Sequence, residues 1–276
     1  MQLDKTIIAI RERDILDILD VTMHVIAKCL RPLLVTFLVG VAPIWLLQHY
    51  MIGGFDLAAL DEGVWFDEGQ WRISTVVTII ACVVFLGPLA AVPTTLYLGQ
   101  ALFLERPSAA RIFTDALRAL PQLFCLQVIL RGILMFPTLA IVPYAVWPYL
   151  NEIVLLERNP LFGRRKTITT MKRSSSLHGS SLGELLGRWM TSIIFAAVMA
   201  GFLFLAMWWT RCWLVGNLDL PRRTFVLCAE VSIWATFCYF TVVRFLCYLD
   251  LRIRREGWEV ELKMRAEGIR LSGQLV

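Results

Sequence analysis

Long apolar runs alternate with charged stretches along this chain. Several of the runs reach the roughly 17–25 residues that a helix needs to cross a hydrocarbon core about 30 Å thick. The predicted spans are residues 33–52, 74–102, 122–141, 142–157, 189–209 and 224–249. The pattern therefore predicts an all-α fold, a polytopic integral membrane helix bundle of about six transmembrane helices.

Two parts of this span assignment depend on prolines. Residues 122–141 and 142–157 share an apolar stretch that is short for two spans. They must therefore form a tight helical hairpin that turns near Pro137 and Pro143. The run 74–102 is longer than one span needs. Pro88 and Pro93 lie within it, and a proline removes a helical hydrogen bond. We therefore expect a kinked second span.

Three charged segments that precede spans have the periodicity of amphipathic helices. In the first, "RERDILDILDVTMHVIAKCL", a step of about 100° per residue collects one apolar arc. In the second, "PSAARIFTDALRALP", a similar stripe lies opposite Arg111, Asp115 and Arg118. The third, before the fifth span, is more polar. All three segments are predicted to be interfacial helices. The apolar residues of the first are Ile15, Leu16, Ile18, Leu19, Met23, Ile26 and Leu30. Those of the second are Phe113, Leu117, Leu120 and Phe124, and those of the third are Leu182, Leu185 and Leu186.

The positive charges predict the orientation. Most of the 27 lysines and arginines lie in the N-terminal segment, the second-to-third and fourth-to-fifth connections, and the tail. Short loops rich in Lys and Arg stay on the cytoplasmic side. We therefore predict a multi-pass protein of the cell (cytoplasmic) membrane with both termini cytoplasmic and the interfacial helices on that side. The predicted divisions are a cytoplasmic interfacial helix (1–32), a membrane domain (33–249) and a cytoplasmic C-terminal helix or tail (250–276).

Composition agrees with this assignment. Hydrophobic residues make up 58% of the chain and charged residues 18%, whereas soluble domains have about 45–50% apolar and about 25% charged residues. The seven cysteines lie in or beside apolar runs without a CxxC pair, so they are predicted to be small buried residues and not a disulfide framework.

The sequence predicts no catalytic chemistry. It contains no P-loop, HExxH pair or dinucleotide fingerprint. His24, His49 and His178 are scattered, which does not fit a metal site. We therefore predict a protein that is not an enzyme, with no catalytic, cofactor-binding or metal residues and no cofactor.

Four of the ionisable residues inside predicted spans are informative, because charges there are costly and usually face a partner within the bundle. They are Arg131, Glu152, Glu230 and Arg244. At about 1.5 Å per residue, Glu152 and Arg244 lie at similar depth and form the best candidate ion pair. One interpretation is an inter-helix clasp, with Arg131 snorkelling or pairing with Glu152. The other is a polar transport pathway in which Arg131 faces a substrate anion.

A basic cluster, Arg164, Arg165 and Lys166, lies in the fourth-to-fifth connection. Retention of positive charge on the cytoplasmic side explains it, and contact with anionic lipid is the functional alternative. No nucleic-acid partner is predicted.

The tail "YLDLRIRREGWEVELKMRAE" has opposite charges at i,i+4 spacing, including Arg252 with Glu256 and Arg255 with Glu259. Such pairs stabilise a segment only when it is helical. The sixth helix is therefore predicted to continue past the membrane, with a possible loosening at Gly257.

Three stretches together resemble a known family: "LLERNP", then "MKRSSSLHGSSLGELLGRW", then the exit "YLDLRIRREGWEVEL". They are similar to the six-span membrane domain named after glycerophosphoryl diester phosphodiesterases and to its uncharacterised relatives. Arg173, Ser174, Leu177 and Ser180 occupy places comparable to the family's pattern, with Gly179 one position early. The resemblance implies the fold and a membrane location. It does not imply phosphodiesterase activity, which belongs to a separate soluble barrel.

These observations predict a scaffold or accessory membrane subunit with a lipid or protein docking surface. A small-molecule or lipid transporter that uses the intramembrane charges is the alternative, and a membrane-embedded enzyme comes third. The expected partners are membrane lipids and a protein at the cytoplasmic face. The oligomeric state stays open.

Overall fold

The computed structural model describes residues 13–61, 68–103, 107–127, 148–160, 168–178 and 182–256. Within these ranges the fold is all-helical. The helices are α1 (Ile15–Lys28), α2 (Leu30–Asp61), α3 (Glu68–Ala90), α4 (Val92–Phe103), α5 (Ala109–Phe124), α6 (Leu150–Glu157), α7 (Thr170–His178), α8 (Leu182–Val215) and α9 (Arg222–Glu256).

Among the described residues, four helices are long and apolar enough to cross a membrane. The qualifying segments are Leu30–Ile52 in α2, Gln70–Ala90 in α3, Gly183–Val215 in α8 and Arg222–Arg255 in α9. They include the predicted spans 33–52, 189–209 and 224–249. Most of the predicted hairpin 122–157 lies outside the described residues, since only 122–127 and 148–157 are covered. The helical membrane architecture is therefore confirmed in its coarse form.

The central element of the bundle is α9. It packs against α8, α1, α3 and α4, and its second half is almost continuously buried from Phe240 to Val243 and from Phe245 to Tyr248. By contrast, α8 makes its main contact with α9 alone. The core therefore forms around one helix of the final pair, and the other helix lies on the outside.

The predicted second span is divided between its two prolines, in the region where a kink was expected. Ala91 interrupts it between α3 and α4. Pro88 has no N–H, so the carbonyl of Val84 loses its usual helical partner, and Gln127 Nε2 donates to that oxygen at 3.3 Å. Gly40 of α2 lies against the interruption so closely that a Cβ there would overlap the Ala90 carbonyl oxygen.

The first amphipathic segment packs differently from its predicted arc. Ile18 and Leu19 of α1 are buried against the bundle, but Leu16 and Met23 are exposed. The Tyr239 hydroxyl donates to the Leu19 carbonyl at 2.9 Å and joins α1 to α9. One flank of the predicted apolar arc therefore meets protein and the other meets the surroundings.

The second amphipathic segment, α5, keeps its predicted apolar stripe on the outside. Phe113, Leu117 and Phe124 are all more than half exposed. Asp115 lies away from this stripe, as predicted, and it is buried against the bundle. It accepts a hydrogen bond from Arg158, which follows α6 and compensates its charge.

The last helix continues as predicted. Residues 250–256 extend α9 beyond the apolar run without interruption. Gly257 and the residues after it lie outside the described part of the chain.

Candidate functional site

The predicted ion pair between α6 and α9 is present. Arg244 Nη2 lies 3.1 Å and 3.2 Å from the two carboxylate oxygens of Glu152, and it also donates to the Pro148 carbonyl at 2.8 Å. Glu152 is buried, whereas 30% of the Arg244 side chain is exposed. The guanidinium therefore joins two helices at the level where the sequence placed both charges.

A small cavity adjoins this pair at the helix interruption. Its volume is about 10 Å³, and four elements contribute to its wall. The lining residues are Pro88, Ala91, Thr95, Asn151, Glu152, Leu155, Phe237, Thr241 and Arg244. Asn151 is 4% exposed, and its buried side-chain oxygen has no hydrogen-bond partner among the described residues. The cavity thus combines an ion pair, an unsatisfied acceptor and two hydroxyls.

Glu230 is a second buried carboxylate, near the start of α9 and distant in sequence from its partners. It accepts hydrogen bonds from Trp45 Nε1 at 2.9 Å and Gln48 Nε2 at 3.1 Å. His49 Nδ1 lies 3.6 Å from the same carboxylate. Gln48 Oε1 in turn accepts from Trp234 Nε1 at 3.2 Å. Both carboxylate oxygens are therefore bonded, as a buried charge requires.

The remaining predicted site residues cannot be placed. Arg131, Arg164, Arg165 and Lys166 all lie outside the described residues. The proposed contact of Arg131 with Glu152 or with a substrate, and that of the basic cluster with lipid, stay predictions.

Glu157 is the centre of a polar junction that the sequence did not predict as a site. Arg173 Nε and Nη2 donate to its two oxygens at 2.7 Å and 3.1 Å. The Tyr248 hydroxyl donates at 3.0 Å, and Arg252 Nε lies 4.0 Å away. The three stretches that carry the family resemblance contribute Glu157, Arg173, and the pair Tyr248 and Arg252, respectively. The positions of Glu157, Arg173 and Tyr248 in these three stretches were the sequence signal that could have indicated the junction.

A second junction joins the beginning of the described chain to α8 and α9. Asp250 Oδ2 accepts from Arg188 Nη1 at 2.8 Å, and Arg254 Nε lies 3.1 Å from it. The backbone N–H of Arg13 donates to Asp250 Oδ1 at 2.9 Å. Glu184 lies 3.0 Å from Arg188 and 3.2 Å from Arg254. Residues 13 and 250 therefore lie at the same end of the bundle.

The described residues contain no group of three or more His, Cys, Asp or Glu side chains placed to hold a metal ion. In the comparisons with known proteins, no family model, curated protein or solved structure matches this chain. The resemblance to the six-span family therefore stays a prediction.

Proposed function

We propose that this chain is a scaffold or accessory subunit of the cytoplasmic membrane that docks on lipid and on a protein partner, and that it is not an enzyme. The observation that carries the proposal is the outward face of α5. Phe113 is 64% exposed, Leu117 52% and Phe124 51%. A row of large apolar side chains on one helix face is typical of helices that lie in a lipid interface.

The charges on α5 favour an anionic surface. Arg111 and Arg118 are exposed, whereas Asp115 is buried and bonded to Arg158. The helix therefore has two exposed positive charges on the side away from its apolar stripe. Basic residues at the cytoplasmic leaflet gain about 1 kcal/mol each from anionic lipid. We extend this contact to α1, where Leu16 and Met23 are exposed.

The proposed topology has six spans and both termini in the cytoplasm. The hydrogen bond between Arg13 and Asp250 supports it, because an even number of crossings returns the chain to its starting side. The Glu157 junction supports the proposed kinship with the six-span family, since it joins Glu157, Arg173 and Tyr248 from the three resembling stretches.

Purification in mild detergent tests the lipid contact. The double variant Arg111→Gln/Arg118→Gln should co-purify with less anionic lipid than the wild type, measured by lipid mass spectrometry. Arg222→Gln/Arg223→Gln, at the beginning of α9, is the matched control and should retain the wild-type lipid content. Equal lipid content in both variants would contradict docking through α5. Recovery of neither lipid nor a protein partner with the wild type would contradict the scaffold proposal itself.

A transporter is the second candidate, favoured by one observation. The Glu152–Arg244 pair lies beside a cavity at a helix interruption, and interrupted helices are common at transport sites. Flux through proteoliposomes should then fall in Arg244→Leu and Arg131→Ala. Flux that persists unchanged in both variants would contradict this candidate.

A further inference from the structure

We propose that the cavity between Glu152 and Asn151 is a hydration site that holds about one ordered water molecule, bound through the side-chain oxygen of Asn151 and the guanidinium of Arg244. This inference concerns a ligand that neither the scaffold nor the transporter proposal assigns.

Within the described part of the chain, Asn151 Oδ1 is buried and accepts no hydrogen bond, and the residue is only 4% exposed. Leaving a buried acceptor unpaired costs about 1–3 kcal/mol. A water molecule in the adjoining cavity would donate the missing hydrogen bond, so the packing favours an occupied cavity.

Further hydrogen-bond partners for this water line the cavity. A buried water usually makes about three hydrogen bonds. Arg244 bonds Glu152 and Pro148 through Nη2 alone, and within the described residues its Nη1 and Nε make no hydrogen bond. The Thr95 and Thr241 hydroxyls also line the cavity. Arg244 or a hydroxyl can donate to the water oxygen while the water donates to Asn151.

The size of the cavity also fits one water molecule. The cavity volume is about 10 Å³, and a polar cavity of about 10–15 Å³ is just large enough for one water molecule. Apolar cavities of this kind stay empty, but this one has charged and amide groups in its wall.

The cavity lies at the helix interruption. Pro88 and Ala91 form one wall, at the interruption between α3 and α4. Interrupted helices at membrane depth are tolerated where protein or water satisfies the freed backbone groups. Gln127 already donates to the Val84 carbonyl of α3. The cavity lies beside the Glu152–Arg244 ion pair.

X-ray radiolytic footprinting of the full chain in lipid nanodiscs tests the assignment, because ionising radiation converts a bound water into hydroxyl radicals at its own position, even in a buried place. Leu155 lines the cavity, and Leu150 is a matched control of the same residue type on the same helix. Both are buried, at 3% and 0% exposure. We expect Leu155 to be oxidised several-fold faster than Leu150. Equal, slow oxidation of the two leucines would overturn the proposal, and this result needs no variant.

Asn151→Leu then tests the role of the side-chain oxygen. Leucine removes the acceptor and fills the cavity, so oxidation of Leu155 should fall to the level of Leu150. Val243, which is 1% exposed and does not line the cavity, reports whether the variant remains folded. If Val243 stays protected and Leu155 is still oxidised rapidly, the assignment of the water to Asn151 is wrong.

Discussion

Two neighbouring helices, α8 and α9, are nearly equal in length, with 34 and 35 residues, but occupy opposite environments. The apolar segment of α8 has a mean hydropathy of 2.2 and none of its most apolar window is buried. The segment of α9 has a lower mean hydropathy of 1.7, and 61% of its window is buried. The more apolar helix is therefore the outer one.

The difference follows from the solvent. Lipid chains are as apolar as leucine, so an apolar helix gains little by entering the bundle. Charged and polar side chains gain partners there. Between Arg188 and Arg211, α8 has no charged residue, whereas α9 carries Glu230, Arg244 and Asp250. All three of these bond to other helices.

The largest contrast is expected for phenylalanine truncation. Phe245→Ala on α9 should lower the free energy of unfolding by about 4 kcal/mol, because it leaves a cavity at a fully buried position. Phe202→Ala on α8 is the matched control, since Phe202 is 69% exposed, and it should have little effect. Reversible unfolding from mild detergent into SDS measures both. Similar losses in the two variants would contradict the placement of α8 outside the core.

Removal of the charge on α9 comes next. Arg244→Leu should cost about 3 kcal/mol in the same assay, because it leaves Glu152 buried without its partner. Arg223→Leu, at an exposed position near the start of α9, is the control. The swap Glu152→Arg/Arg244→Glu should recover part of the stability lost in each single variant. Strictly additive losses would show that the two side chains do not act as a clasp.

A smaller loss is expected for one added methyl group. Gly40→Ala should cost about 2 kcal/mol, because a Cβ there overlaps the Ala90 carbonyl oxygen at the helix interruption. Gly201→Ala on α8 has no atom within 4 Å of the added Cβ and should be neutral. The midpoint of thermal unfolding in detergent compares them. A tolerated Gly40→Ala would mean that α2 and the α3–α4 interruption are not in close contact.

The smallest effect is expected for a single hydroxyl. Tyr248→Phe removes the hydrogen bond to Glu157 and should cost about 1 kcal/mol. Tyr50→Phe on α2 removes a hydroxyl from a residue that is 80% exposed and should be silent. Hydrogen exchange over residues 170–178 adds a second readout, since α7 shares the junction through Arg173. If neither hydrogen exchange nor stability changes, Glu157 is not the centre of this junction.

The sequence predicted those features that depend on local pattern. Apolar runs located α2, α8 and α9, and counting residues from the helix ends matched the level of Glu152 to that of Arg244. It could not predict which helix is central, because hydropathy alone ranks α8 above α9.

Long-range partners were also beyond the sequence. Glu230 was predicted as an intramembrane charge, but its donors Trp45 and Gln48 lie on α2, far away in the chain. Asp115 was assigned to a polar face, and only the fold shows that Arg158 reaches it. Side-chain periodicity defines a face, whereas the neighbour of that face depends on packing.

Photo-crosslinking in lipid nanodiscs tests the central claim most directly. A diazirine analogue of phenylalanine replaces Phe202 or Phe245, one at a time, and mass spectrometry identifies the adducts after illumination. The account predicts lipid adducts from position 202 and crosslinks to other parts of the protein from position 245. Lipid adducts from position 245 together with protein crosslinks from position 202 would contradict it.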